Sequence, residues 1–484
     1  MRVLKFGGTS VADADAVRRV VAIVASERRT EATSPHRADN ARRGPRFVGP
    51  VVVVSALGGV TDRLLEVAAL ARRGDAAHAL ALVDQLYARH LETLAELAPG
   101  EHGGPVPEAV DALFSQLRAL AGAVAVLHEA SPRSLDAIAA IGELASSRIV
   151  TAALVSAGIP ATWADPRALI VTDEGFTAAM PLVDETTEQT EAHLRSALDN
   201  GRVIVTGGFV GATRRGITTT LGRGGSDYSA SLLGVALGAD EIQIWTDVDG
   251  MLTADPRVVP SPRLVPYLSF AEAAELAYFG AKVLHPKTIQ PAAARNIPVR
   301  ILNTFRPEAP GTLIADGAAP EPSVVTALAC KQGITVVTIT STGMLMAYGY
   351  LRRLFEVFER YRTPVDVVST SEVSVSVTID DRTHLDGIVA ALSTFAEVSV
   401  SNHLALVAVV GDRYGAEPSA FSRVVKALEG LPLRLVSQAD ARRNVTLVLD
   451  QDDLPRAMAQ LHAEFFHQGL PTPATLMTSA AAPR

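Results

Sequence analysis

The chain has 484 residues, 48% hydrophobic and 20% charged, with a formal net charge of −8 and a pI near 5.8. That length exceeds what one core serves and points to two or three domains, while the acidic balance leaves no basic field for nucleic acid. A single cysteine, Cys330, excludes an intramolecular disulfide framework and a Cys-rich metal site, which fits a reducing, cytoplasmic setting.

Only five of the 44 basic side chains are lysine, and one is Lys5 in Lys5-Phe6-Gly7-Gly8-Thr9-Ser10, where a short apolar strand meets two glycines. An ammonium is a compact point charge, and beside closely approaching backbone amides it suits a phosphate. The apolar start is too short for the core of a secretory signal. Residues 30–46, with Pro35, Pro45 and several arginines, read as an exposed loop. Val51 to Val54 is the next strand, followed by Ser55-Ala56-Leu57-Gly58-Gly59-Val60-Thr61. From about 62 to 158 the chain is Ala/Leu-rich at helical spacing, an all-helical excursion. Further strands follow at Val203 to Val205, Ile242 to Trp245 and Val299 to Leu302. The alternation predicts an α/β domain over 1–306, a mostly parallel sheet flanked by helices. The longest apolar runs have strand length, short of the roughly 20 residues of a membrane span, so no membrane partner is expected.

Proline, glycine and alanine dominate 307–323, which reads as a linker. Beyond it the sequence nearly repeats. Val377-Thr378-Ile379-Asp380 is echoed by Leu447-Val448-Leu449-Asp450, and Val367-Val368-Ser369 by Leu435-Val436-Ser437. Two α+β modules of βαββαβ order are expected, at 324–400 and 401–470, with 471–484 as a flexible tail. Such small open sheets usually pair with another copy.

Three glycine clusters follow apolar strands: Gly7-Gly8, Gly207-Gly208 and Gly222-Arg223-Gly224-Gly225. Each lets backbone N–H groups approach an anion, and the third adds the cation, hydroxyl and carboxylate of Arg223, Ser226 and Asp227. No glycine-lysine dipeptide exists, so there is no Walker A loop. Asp247-Val248-Asp249-Gly250 hints at a calcium loop, but Val258 stands where the bidentate glutamate belongs, and no metal site is assigned. Glu143 lies in an otherwise apolar helical stretch, where an acid is costly unless partnered; a bound ammonium would partner it.

Taken in order, Lys5-Phe6-Gly7-Gly8-Thr9-Ser10-Val11, Thr219-Thr220-Leu221-Gly222-Arg223-Gly224-Gly225-Ser226-Asp227-Tyr228 and Phe279-Gly280-Ala281-Lys282-Val283-Leu284-His285-Pro286 resemble the aspartokinases of the amino acid kinase superfamily. The tail resembles paired ACT domains, whose outer strands can interleave; residues 324–340 would then join the second copy. The resemblance implies transfer of the ATP γ-phosphoryl group to the side-chain carboxylate of L-aspartate, with Mg²⁺ bridging the phosphates. It makes Lys5 and Asp227 catalytic, with Phe6, Gly7 and Gly8 beside Lys5 at the phosphates. Thr246, Asp247, Leu252, Arg257, Lys282 and Val283 would contact the nucleotide, Leu252 replacing the family's usual tyrosine. Ser55, Thr61, Glu143, Arg223, Gly224, Gly225 and Ser226 would hold aspartate, Glu143 at the amino group and Arg223 at a carboxylate.

In the first ACT module, Met344, Ala347, Tyr350, Leu351, Val365, Asp366, Ser371 and Glu372 resemble an effector site of the lysine-sensitive subgroup. Lysine is the favoured feedback effector and threonine the second, although Met346 and Ala347 replace more polar family residues. A homodimer or homotetramer through the ACT modules is implied. The alternatives are a kinase of the same fold with another carboxylate or nucleotide substrate, which the ACT tail disfavours, and an inactive amino-acid sensor. Retention of Lys5, Arg223 and Asp227 argues against the sensor.

Overall fold

The computed structural model describes residues 1–33, 49–280, 286–317, 323–345, 347–438 and 443–466. Lys282 and Val283, Met346, most of the expected 30–46 loop, part of the linker and the tail beyond 466 lie outside them. Two compact units form. The first comprises Met1–Met251, Pro266–Phe270 and Val283–Gly317; the second comprises Leu252–Val265, Ala271–Lys282 and Ala318–Arg484.

Among the described residues eleven strands belong to the first unit: β1 (Arg2–Phe6), β2 (Val51–Val54), β3 (Ala161–Ala164), β4 (Val171–Thr172), β5 (Val203–Gly207), β6 (Val210–Thr213), β7 (Thr218–Thr220), β8 (Glu241–Thr246), β9 (Tyr267–Leu268), β10 (Val299–Asn303) and β11 (Thr312–Ile314). Eight of them make one sheet in the order β3-β5-β2-β1-β8-β10-β11-β9, and β4, β6 and β7 make a smaller one. From β3 to β10 every pairing is parallel. The five strands read from the sequence therefore lie side by side. Their side chains are covered on both faces, which is why the all-valine β2 is buried throughout. The short β3, β9 and β11 were not legible as apolar runs, and β11 pairs antiparallel with β10.

Between β2 and β3 come four helices, Val60–Arg72, Ala76–Leu97, Val106–Leu127 and Pro132–Ser156. Leu64, Val67, Val83, Phe114, Leu117, Ile138 and Leu144 knit them into one core. Asp75 and Ser131 cap two of them by accepting N–H bonds from His78 and Ser134. Two helices correct the expectation that apolar runs stop at strand length. Val106–Leu127 and Pro132–Ser156 are long and apolar enough to span a membrane by composition, because alanine and serine fill the gaps between larger side chains. In Pro132–Ser156 that apolarity is spent inside the protein, since 89% of its most apolar window is buried.

The second unit is built on a six-stranded antiparallel sheet of β12 (Ala327–Thr340), β13 (Val368–Thr370), β14 (Ser374–Ile379), β15 (Glu397–Val410), β16 (Leu433–Ser437) and β17 (Asn444–Asp450), ordered β13-β14-β12-β15-β17-β16. The repeated strings fall on β14 and β17 and at β13 and β16. β12 is divided by two register shifts on either side of Ile334: its first half pairs Ala327–Gln332 with Val410–Ala405, and its second half lies between β14 and the first half of β15, Glu397–Ser401. Only the first half thus serves the second module; Thr335 to Thr340 belong to the first. Each module has its own core, one around Leu354, Phe358 and Ile388 and the other around Val424, Leu447 and Met458.

Candidate active site

A cleft of about 330 Å³ opens in the first unit, beyond the carboxyl ends of β1, β2 and β5. Parallel sheets place ligands there, and here the strand order turns back between β1 and β8. Lys5, Gly8, Ser55, Thr61, Glu143, Gly224, Gly225, Ser226 and Asp227 all line it. Nine residues expected from the sequence at the substrates, spread over more than 200 positions, thus converge on one cavity.

Two helices begin at its wall, Val60–Arg72 behind Gly59 and Gly225–Ala236 behind Gly224, and neither has a side-chain cap. The first N–H groups of a helix lack intrahelical partners and carry the positive end of its dipole, so the wall is prepared for anions. Close packing sets the distances. A Cβ on Gly208 would stand 2.6 Å from the Ser226 Cβ, so only glycine lets β5's end meet the second helix. Ser226 then accepts a hydrogen bond from the Ser55 hydroxyl at 3.0 Å.

Lys5 Nζ and Asp227 Oδ1 form an ion pair 2.6 Å long, with side chains only 11% and 14% exposed. The carboxylate comes from the first turn of the glycine-led helix, where the dipole also favours it. Glu143 is 3% exposed, and its Oε2 has no hydrogen-bond partner among the described residues. Burial pushes its carboxyl up to about 8, against the opposing pull of the Ala56 and Glu143 N–H groups. The helix reaches Ala56 because position 142 is glycine; a Cβ there would lie 2.7 Å from that of Ala56.

The remaining sequence candidates are placed differently. Phe6 is a core side chain stacked on Trp245, and the Gly7 N–H donates to the Trp245 carbonyl at 3.2 Å, so Gly7 has no free amide to offer a phosphate. Arg223 is exposed and does not line the cleft. Thr246, at the end of β8, donates its hydroxyl hydrogen bond to Asp247 at 3.1 Å. Leu252 and Arg257 belong to the second unit, where Leu252 bridges to Leu264 and Arg257 is held by Asp255. Sequence reasoning passed over Asp62 and Phe209, both on the cleft wall. Asp62 had a signal in its position just after Gly58-Gly59. Phe209 had none, because its left-handed φ of 64° shows only in the backbone.

In the second unit, Met344, Tyr350 and Val365 pack against one apolar cluster, while Ala347, Leu351, Ser371 and Glu372 are exposed. Asp366, its side chain 5% exposed, pairs with Lys331 Nζ at 3.1 Å; that ammonium also lies 4.9 Å from the centroid of the Tyr278 ring.

Comparison with known proteins agrees with this geometry. The amino acid kinase family model matches residues 1–303, and an ACT domain model matches 407–465. The chain is 35% identical to aspartokinase 3, chloroplastic, of Arabidopsis thaliana, over 96% of this chain and 81% of that one. It is 34% identical to lysine-sensitive aspartokinase 3 of Escherichia coli, over 96% and 99% respectively. Its structure superimposes on the crystal structure of E. coli aspartokinase III in complex with aspartate and ADP with a TM-score of 0.80, at 34% identity over 96% of this chain and 100% of that one. Likeness on this scale covers the cleft, the sheet beneath it and the ACT tail together, and the chain belongs to the amino acid kinase family, among the aspartokinases.

Proposed function

We propose that the protein is an ATP:L-aspartate 4-phosphotransferase, making 4-phospho-L-aspartate at the head of lysine, threonine and methionine biosynthesis. The observation that carries this is the pairing of Lys5 with Asp227 in one cleft that also holds a buried Glu143, its Oε2 without a partner among the described residues, and two uncapped helix starts. Phosphoryl transfer needs in-line positioning and cover for charge on the moving oxygens more than covalent help. Lys5 supplies that cover, and Asp227 holds the ammonium where the phosphoryl group passes. The Gly8 turn and the helix starts at Gly59 and Gly224 receive the remaining phosphate oxygens. Thr246 and Asp247, at and just past the end of β8 in the same unit, serve the nucleoside end of ATP.

Aspartate presents one ammonium and two carboxylates. Glu143 takes the ammonium, giving up its proton to do so, and Arg223 grips the carboxylate that does not react, with Ser55, Thr61 and Ser226 as hydroxyl partners. Among the described residues no group of three or more His, Cys, Asp or Glu gathers to cage a metal. Mg²⁺ keeps its waters and binds mainly through phosphates, and the cleft carboxylates of Asp62 and Asp227 would serve it as hard oxygen donors. Bound there, Mg²⁺ would neutralise charge on the triphosphate. We assign the Asp366 region as the site of a feedback effector, lysine before threonine, in a cytoplasmic homodimer or homotetramer joined through the ACT modules. The lysine-sensitive relative in E. coli supports that choice. The test is a coupled assay of the purified protein with aspartate against glutamate, with and without lysine and threonine. ATP turnover that does not depend on aspartate would overturn the assignment, and indifference to lysine would overturn the effector.

A further inference from the structure

Asp136 lies on the helix that carries Glu143, seven positions earlier, and is 1% exposed. Two helical turns separate the residues, roughly 10.5 Å along the axis, and residues so spaced share a face. Its carboxylate is fully engaged. It accepts the Thr177 N–H at 2.9 and 3.1 Å, the Thr220 N–H at 3.1 Å and the Thr220 hydroxyl at 2.6 Å. One buried acid therefore fastens three pieces of chain: the Glu143 helix, the turn before Ala178, and the end of β7.

Both partners lead to the same place. Thr220 is the last residue of β7, followed at once by Leu221-Gly222-Arg223-Gly224. Thr177 has a φ of 74°, a left-handed conformation that a β-branched residue adopts only under constraint. The Thr177 carbonyl and Ala178 press on Gly222, where an added Cβ would meet them at 3.3 and 3.4 Å. The strained turn thus forms the backing of the Arg223 loop, and two contacts hold it: the Asp136 carboxylate on the Thr177 N–H, and the Ala179 N–H, which donates to the Thr220 carbonyl at 2.9 Å.

We infer that Asp136 is a positioning residue for aspartate recognition, fixing the Arg223 loop relative to Glu143 by holding Thr177 in its strained conformation and tying β7 to the Glu143 helix. This rests on the proposed roles of Glu143 and Arg223 at the two ends of the substrate. A substrate one methylene longer or shorter is read as a distance between an ammonium site and a carboxylate site, and here both ends hang from one rigid helix. Loss of the fastening lets the arginine end drift, which weakens aspartate while leaving ATP at Lys5 largely untouched.

The experiment measures aspartate KM, ATP KM and kcat, with thermal unfolding as a folding control, for Asp136→Ala, Asp136→Asn, Asp136→Ala combined with Thr177→Gly, and Arg223→Ala. Asp136→Ala is expected to raise aspartate KM by on the order of tenfold or more, with ATP KM within about twofold. Asp136→Asn, which keeps an acceptor for the amides, should recover most of the loss. Thr177→Gly should also restore aspartate KM in the Ala background, because glycine takes a φ of 74° without constraint. A merely structural role would not be repaired at the surface turn. The inference is overturned if Asp136→Ala shifts both KM values alike, or if the added glycine rescues nothing. Should Asp136→Ala not fold, an Asn variant with its aspartate KM raised as far as that of Arg223→Ala would overturn it too. An unchanged aspartate KM in Arg223→Ala would instead overturn the arginine's assigned role, a result distinct from either.

Discussion

Replacing Glu143 by glutamine tests the aspartate site most directly, because the wild-type residue must change protonation state to do its work. Burial pushes its carboxyl up to about 8. At pH 7 most molecules therefore hold the proton, and pairing with a substrate ammonium expels it. Calorimetry in buffers of different ionisation enthalpy should read net proton release on aspartate binding at pH 7, and less of it as the pH is raised past 8. Below pH 8 each unit costs about 1.4 kcal/mol, so aspartate affinity should weaken about tenfold per unit on going down in pH. Free aspartate holds its own charge state between about pH 6 and pH 8, which isolates the enzyme's contribution. The sign for stability is opposite. The folded state holds a proton that the unfolded chain has lost above its ordinary value of 4.5, so Glu143's contribution to the stability of the unliganded protein declines as pH rises from there to about 8. Glu143→Gln abolishes both slopes, binds aspartate more weakly at pH 8, and releases no proton. Proton release from the glutamine variant, or a wild-type aspartate affinity that is flat across this range, would refute the pairing of Glu143 with the ammonium.

Lys5→Ala should lose on the order of 1,000-fold in kcat and, because it leaves Asp227 without its cation, unfold at a lower temperature; turnover near wild type in the folded variant would remove Lys5 from the chemistry. Gly208→Ala forces a Cβ to within 2.6 Å of the Ser226 Cβ, so it should cost about 1–3 kcal/mol in denaturant unfolding and raise aspartate KM. Lys331→Met frees Asp366 of its internal cation, so half-inhibition by lysine should occur at a concentration lower by about tenfold; inhibition weakened by the change would refute competition for that acid.

How far the sequence reads depends on whether a residue's role is local. Strands β1, β2, β5, β8 and β10 announce themselves because both of their faces are buried, and the helical excursion does so through its Ala/Leu spacing. Lys5 and Glu143 stand out as chemistry that is costly or wasted elsewhere, an ammonium beside glycines and an acid among apolar neighbours, whereas the role of Asp227 comes only from the family resemblance. Phe209 and Thr177 are not legible, since their significance is a backbone angle imposed by partners about 20 and 40 residues away. Gly7 misleads for the same reason. Its glycine neighbour suggests a free amide, and only the pairing of β1 with β8 brings the Trp245 carbonyl to occupy it. The division of β12 between two modules is equally hidden, because the register shifts on either side of Ile334 depend on β15, more than 60 residues on.

A single electrostatic logic links the catalytic and regulatory charges. The buried groups assigned to a ligand charge each have a resident partner, Lys5 in Asp227, Glu143 in a proton and Asp366 in Lys331, whereas Arg223 is exposed to solvent. Bare charges in such buried places would cost several kcal/mol each, and the resident partner of each avoids that cost. Ligand binding then exchanges partners rather than adding attraction to an open pole, and its net strength is a difference between two well-made interactions. Affinity in such a design stays moderate, suited to metabolites that must also leave. Selectivity is sharpened as well, because a ligand that displaces the resident partner without matching its geometry leaves a buried group unsatisfied, and that penalty exceeds the worth of an ordinary hydrogen bond.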